Sequence, residues 1–175
     1  MWQSIQRWMF DSELKKRGLP VKSTTRHSVN QALRIGILFD GTDENDRKII
    51  HKFKKQLTVS GKEVRSLAFI NNKLPLDNVD YNAYNLRDVN WYGIPTGEKV
   101  TQFIEKEFDV LIPVIHRMTL HFEYIIAAAK ARLIIGPAVS HAERYFNLIS
   151  EQNNDDNLEN IIQELLSNVS KVVQP

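Results

Sequence analysis

From residue 34 onward the chain alternates short apolar runs with longer stretches whose apolar residues recur every three or four positions. The first run, Arg34-Ile35-Gly36-Ile37-Leu38-Phe39-Asp40, is almost wholly apolar and stops at Gly41-Thr42, which predicts a short strand buried on both faces. Asp43 to Ser60 then carries Ile49, Ile50, Phe53 and Leu57 on one helical stripe, with Gly61 placed as a C-cap. Asp43, Glu44 and Asp46 fall in its first turn, where the helix dipole favours negative charge. Val64 to Ile70 is a second strand, ended by Asn71-Asn72. Two strands joined by a helix of this length form a right-handed βαβ unit, and hence a parallel sheet.

The alternation weakens between Asn72 and Gly97, where Pro75 and Pro95 frame a short candidate strand near Tyr81 to Leu86 and an ordered turn, Val89-Asn90-Trp91-Tyr92-Gly93-Ile94-Pro95. It then resumes. Glu98 to Glu107 suits a helix, Asp109 to Ile115 a strand, Thr119 to Lys130 an Ala-rich helix and Arg132 to Gly136 a strand. Arg144 to Ile149 is a candidate last strand, Ser150 to Asn157 a polar loop, and Leu158 to Val173 a closing amphipathic helix. The class expected is α/β: a doubly wound, mostly parallel sheet of five or six strands, Rossmann-like (flavodoxin-like), over residues 34–175.

Residues 1–33 read differently, as a basic amphipathic arm and linker. Trp2, Ile5, Trp8, Met9 and Leu14 place most of their bulk on one side of a helix that ends in Lys15-Lys16-Arg17 and Gly18-Leu19-Pro20. Up to residue 34 there are seven basic side chains (Arg7, Lys15, Lys16, Arg17, Lys22, Arg26, Arg34) against Asp11 and Glu13, so the overall net charge of +2 conceals a basic arm on a mildly acidic body. Either this helix docks its tryptophans on the domain, or it presents Trp2, Arg7, Trp8, Lys15, Lys16 and Arg17 to RNA, to a protein partner or to an anionic membrane surface. Val21 to Ala32 reads as an exposed linker.

Composition narrows the chemistry. With 175 residues, 42% hydrophobic and 25% charged, the chain is long enough and apolar enough for one globular domain. The absence of cysteine removes disulfides, thiolate nucleophiles and Cys-based metal sites. Arg7, Asp11 and Glu13 interrupt any signal-peptide core, and the apolar stretch Tyr124 to Ala129 is far shorter than the roughly 20 residues of a membrane span, so a cytoplasmic location is expected.

In a parallel sheet, ligands bind beyond the carboxyl ends of the strands. The residues delivered there are Asp40, Gly41 and Thr42, then Asn71 and Asn72, then His116 and Arg117, and then Gly136 to His141. No G-x-G-x-x-G or Walker loop is present, and the acids after Thr42 repel phosphate. Asp40, Asp43, Glu44 and Asp46 can be read as oxygen ligands for Mg²⁺ or as a cap with first-turn charges; the second reading is taken, and neither metal nor cofactor is predicted. His116 and His141 follow strands and are candidate acid and base, yet neither has an evident carboxylate or nucleophile beside it, so no catalytic residue is assigned. Asp40, Gly41, Thr42, Asn71, His116 and His141 remain as a ligand-binding rim. Trp91 either stacks on a ligand or partner, or plugs the sheet edge.

The ordered set Ile35-Gly36-Ile37-Leu38-Phe39, Asn90-Trp91-Tyr92-Gly93-Ile94-Pro95, Phe108-Asp109-Val110-Leu111-Ile112, Tyr124 to Arg132 and Ile135-Gly136 resembles an uncharacterised family of small Rossmann-like proteins from Bacteroidota, over residues 34–149. Its last part is also similar to the acceptor-side Rossmann half of heptosyltransferase-like GT-B enzymes. Where that pattern continues from the strand into an acidic or polar residue and glycines, this chain has His116-Arg117, and 175 residues leave no room for a second Rossmann domain. The resemblance thus implies a fold and a lineage, with no activity to transfer. The expected function is a non-enzymatic binding or assembly module whose arm contacts RNA, in a ribosome-associated setting, or a protein. The alternative is a small-molecule or nucleotide-binding α/β enzyme of glycosyltransferase-like type using the rim.

Overall fold

The computed structural model describes residues 2–19, 33–76, 81–150 and 158–172. Six strands, β1 (Arg34–Asp40), β2 (Glu63–Ile70), β3 (Ala83–Asn85), β4 (Glu107–Val114), β5 (Lys130–Pro137) and β6 (Leu148–Ser150), form one sheet in the order β3-β2-β1-β4-β5-β6. Every pairing is parallel. This is the strand order of the dinucleotide-binding doubly wound fold, with its switch point between β1 and β4. The helices are α1 (Trp2–Lys16), α2 (Glu44–Val59), α3 (Glu98–Glu105), α4 (Leu120–Ala128) and α5 (Leu158–Val172).

Alternation along the strands sorts the core into two layers. Ile35, Ile37 and Phe39 of β1, with Val110, Ile112 and Val114 of β4, pack against Ile50 and Phe53 of α2 and Ile161 and Leu165 of α5. Leu38, Leu67, Phe69 and Leu111 face the other way, onto Phe103 of α3, Ile125 of α4 and, less expectedly, Phe10 and Leu14 of α1. Because both faces of each central strand are covered, β1 reads as a continuous apolar run.

Local signals account for the boundaries. The Asp43 carboxylate accepts from the backbone N–H of Asn45 and Asp46, at 2.7 and 3.4 Å, and so caps α2. Gly61, at φ +79°, lets its own N–H reach the carbonyl of Thr58 and that of Lys62 reach Leu57, closing the helix. At the opposite, amino edge of the sheet, the buried Asp109 accepts from the backbone N–H of Leu33 and Arg34 and from the Arg34 guanidinium. Burial raises the Asp109 pKa, but these hydrogen bonds outweigh it and hold the carboxyl below its ordinary range. Asp109 therefore pins β1 to β4 far from the rim.

Four expectations shift. The helix expected over Glu98 to Glu107 stops at Glu105, and β4 begins at Glu107 rather than Asp109. The candidate strand near Tyr81 to Leu86 contracts to Ala83–Asn85. The Ala-rich helix stops at Ala128, and the strand after it starts at Lys130 rather than Arg132. Arg144 to Ile149 is not one strand: Ala142–Arg144 makes a 3-10 turn and β6 begins only at Leu148. The turn carries Phe146 onto Gly136, where a Cβ would fall within 2.8 Å of three atoms of the phenylalanine ring. Gly136→Ala is therefore expected to destabilise the fold by about 1–3 kcal/mol through overpacking. A fall in urea midpoint at unchanged slope is the expected reading, and an unmoved midpoint would refute the tight fit. The linker 21–32 and residues 151–157 of the polar loop lie outside the described residues.

Candidate functional site

The rim forms where β1 and β2 end side by side. Gly41 donates its N–H to the Phe69 carbonyl at 2.8 Å, and a Cβ at Gly41 would meet Ala68 and Phe39 at 3.1 Å, so the turn lies close against the sheet. The Asp40 carboxylate accepts from the Thr42 N–H at 3.0 Å, and the Thr42 hydroxyl accepts from the Asn71 N–H at 3.0 Å. The Arg47 guanidinium donates to the carbonyls of Gly41 and Thr42. Asp40, Gly41, Thr42 and Asn71 are thus one hydrogen-bonded unit, in which the Asp40 side chain holds the backbone of its own turn and the Thr42 side chain holds that of the turn after β2.

The two histidines follow neighbouring strands, β4 and β5. His116, after β4, is exposed and places Nε2 3.8 Å from the carboxylate of Asp46 in the first turn of α2. Burial raises the Asp46 pKa, and the neighbouring His116 opposes that shift. His141 follows β5, two strands from β1, at φ +65° in the left-handed region. It is exposed, and no hydrogen bond or ion pair joins it to Asp40 or His116 among the described residues. Among the described residues no group of three potential metal ligands converges; Asp43 is occupied as a cap and Glu44 pairs with Lys48 at 2.7 Å.

A third histidine lies beneath the rim. His121 is buried in the first turn of α4, with Nδ1 2.8 Å from the Tyr84 hydroxyl and Nε2 2.8 Å from the Thr119 hydroxyl. Its ring packs on Phe69 at 4.1 Å and on Phe122 at 4.4 Å. Burial drives its pKa down to about 4, against the pull of Asp40, so at neutral pH the imidazole is uncharged and spans two hydroxyls. The sequence held one pointer to it, a histidine set inside the largely apolar helix after β4.

The arm is the other distinctive surface, and α1 does dock on the body. The tryptophans do not lead that docking. Phe10 is fully buried and Leu14 nearly so, one turn apart on the inward face. Arg7 donates to both oxygens of the buried Glu123 at 2.9 Å, and the Tyr145 hydroxyl donates to the same carboxylate at 2.7 Å. Arg17 reaches the Tyr124 hydroxyl at 2.7 Å and lies over that ring. Glu123 and Tyr124, both buried, thus lie on the side of α4 that is turned to α1.

Facing outward, Trp2 and Trp8 are 68% and 70% exposed, with Ile5 exposed between them. Beside them stands the turn at Asn90, whose carboxamide oxygen accepts from the Ile94 N–H at 2.9 Å. Gly93, at φ +92°, closes this turn against Leu120, where a Cβ would come within 2.5 Å of the Leu120 Cβ. Trp91 at its tip remains 50% exposed; its ring meets Trp2 at 5.7 Å and its carbonyl accepts from Gln6. Trp2, Ile5, Trp8 and Trp91 make an exposed apolar patch shared by the arm and the body. Lys15 and Lys16 are exposed at the end of α1, Lys16 beside Glu13 at 3.5 Å.

Among the described residues no helix is long and apolar enough to cross a membrane. No curated protein matches the chain. A family model does match, over residues 3–169, so that it takes in α1 and its docking surface together with the whole sheet, and the chain belongs to that family of unknown function (DUF6913).

Proposed function

We propose that the protein is a non-enzymatic binding module that engages a protein partner through the aromatic patch Trp2, Ile5, Trp8 and Trp91. The observation that carries this reading is the exposure of three tryptophans on a helix and a turn that are otherwise firmly held. Tryptophan is the residue type most enriched at binding hot spots, and large contiguous apolar patches are rare on surfaces that stay wet. Partner binding is favoured over chemistry at the rim because Asp40 and Thr42 are engaged by the backbone of the turns after β1 and β2.

Protein is favoured over RNA for a related reason. Arg7, one of the arm's best phosphate-binding groups, is engaged by Glu123, and Arg17 is held over Tyr124, so that Lys15, Lys16 and the outer side of Arg17 are the exposed cations of the described arm. An RNA or ribosome-associated role, and a glycosyltransferase-like one, rest on arm charge and on sequence resemblance respectively.

A photo-crosslinker at position 5 of the full chain, used in the native cell, tests the reading. The expected product is a nuclease-resistant protein adduct that disappears in Trp2→Ala/Trp8→Ala and persists in Lys15→Gln/Lys16→Gln. The tryptophan variant should keep its stability to within about 0.5 kcal/mol per site, since both side chains are largely in water. A nuclease-sensitive adduct lost with the lysines would transfer the role to RNA, and an adduct indifferent to the tryptophans would end the proposal.

A further inference from the structure

On the opposite face of the sheet from α1, a cavity of about 490 Å³ opens between α2 and the sheet. Its floor is apolar and partly aromatic, formed by Phe39, Ile50 and Tyr81. One wall is a single flank of α2, from which Arg47, His51, Lys54 and Lys55 project at helical spacing. Ser66 and Thr58 add hydroxyls, and no lining residue among those described is acidic.

These cations are poorly matched. Glu44, in the first turn of α2, pairs with Lys48 at 2.7 Å, and no carboxylate forms a salt bridge with Arg47, Lys54 or Lys55 among the described residues. The Lys54 ammonium has the Ser66 hydroxyl at 3.4 Å. Arg47 uses one guanidinium nitrogen on the carbonyls of Gly41 and Thr42, and has further N–H donors to offer. Three permanent positive charges along one wall of a concave, part-apolar space focus a field that attracts anions. The volume falls in the range of small-molecule sites, which combine an apolar lining with a few convergent polar groups.

We infer that this cavity binds a small organic anion, with a flat or aromatic body on Phe39, Ile50 and Tyr81 and a phosphate or carboxylate held by Arg47, Lys54 and Lys55. The site is independent of the α1 surface, because the sheet lies between them. Its cations come from the polar flank of an amphipathic helix, which is why periodicity alone shows them only as solvated charge.

Isothermal titration of the full chain with adenosine 5′-monophosphate, indole-3-acetate and inorganic phosphate tests the assignment. The expected result is a Kd of about 0.1 mM for at least one of the two aromatic anions. That binding should weaken about tenfold in Lys54→Gln/Lys55→Gln and in Tyr81→Ala, and should also weaken as salt rises. The stronger of the two aromatic probes identifies the head group. Inorganic phosphate binding as tightly as the aromatic probes would overturn the role of the floor. Lack of binding by all three at millimolar concentration, or affinity unchanged in both variants, would overturn the site. Circular dichroism of each variant separates loss of binding from loss of fold.

Discussion

Arg7→Ala is expected to destabilise the protein by about 3–5 kcal/mol, the cost of leaving a buried carboxylate without its counter-ion. Glu123 is 3% exposed and takes two hydrogen bonds from Arg7 and one from Tyr145, so removing the guanidinium leaves a charge supported by a single hydroxyl. The fold has one escape, which is to release α1 and let water reach Glu123. That route sacrifices the burial of Phe10 and Leu14, a loss of similar size. Urea denaturation gives the magnitude, and limited proteolysis of the first 19 residues tells the two routes apart. The paired variant Arg7→Met/Glu123→Leu should recover most of the loss, since a buried ion pair is often replaceable by apolar groups of like volume. A single Arg7→Ala change costing less than about 1 kcal/mol, with α1 still protected, would show that Glu123 does not depend on the arm.

Acid sensitivity is the second large effect. The unfolded chain takes up a proton at His121 near its ordinary value of 6.5, while the folded chain refuses it until about 4. Between these values the unfolded state binds more protons, so stability falls as pH drops from 6.5 towards 4 and is insensitive to this group above 6.5. At about 1.4 kcal/mol per unit, the full window is worth roughly 3 kcal/mol. Tyr84 and Thr119, its two neutral partners, supply no compensating charge; Asp40 moderates the effect and Arg117 adds to it. His121→Gln should flatten the pH profile in this window even if its absolute stability is lower. Asp109, held below its ordinary range, contributes separately and is lost only at still lower pH. A wild-type profile that is level from pH 6.5 to 4 would refute the buried neutral histidine.

The parts of this fold that local physics dictates were legible in the sequence. The apolar run at β1, the Asp43 cap and the Gly61 stop set α2 between two parallel strands, and from that unit alone Asp40, Thr42 and Asn71 are brought to one edge. His141 fails to join them because strand order, which places β5 two positions from β1, is a property of the whole sheet. The docking face of α1 was hidden for a like reason: Trp2 and Trp8 are bulkier than Phe10 and Leu14, and the side turned inward also carries an ion pair to a residue 116 positions away. His121 was obscured by its own satisfaction, since the contact with Tyr84, which joins Thr119 in satisfying the buried ring, is tertiary. The cationic cavity sits on helix positions that, read one-dimensionally, are ordinary solvent-facing lysines.

The dependence of α1 on Glu123, Tyr124 and Tyr145 also sets an order of events during synthesis. Once α1 has left the ribosome it has no docking surface until more than a hundred further residues have emerged. At about 5–20 residues per second, that is a delay on the order of 10 s in which Phe10 and Leu14 stay in water. The helix α1 is therefore made long before the surface that secures it.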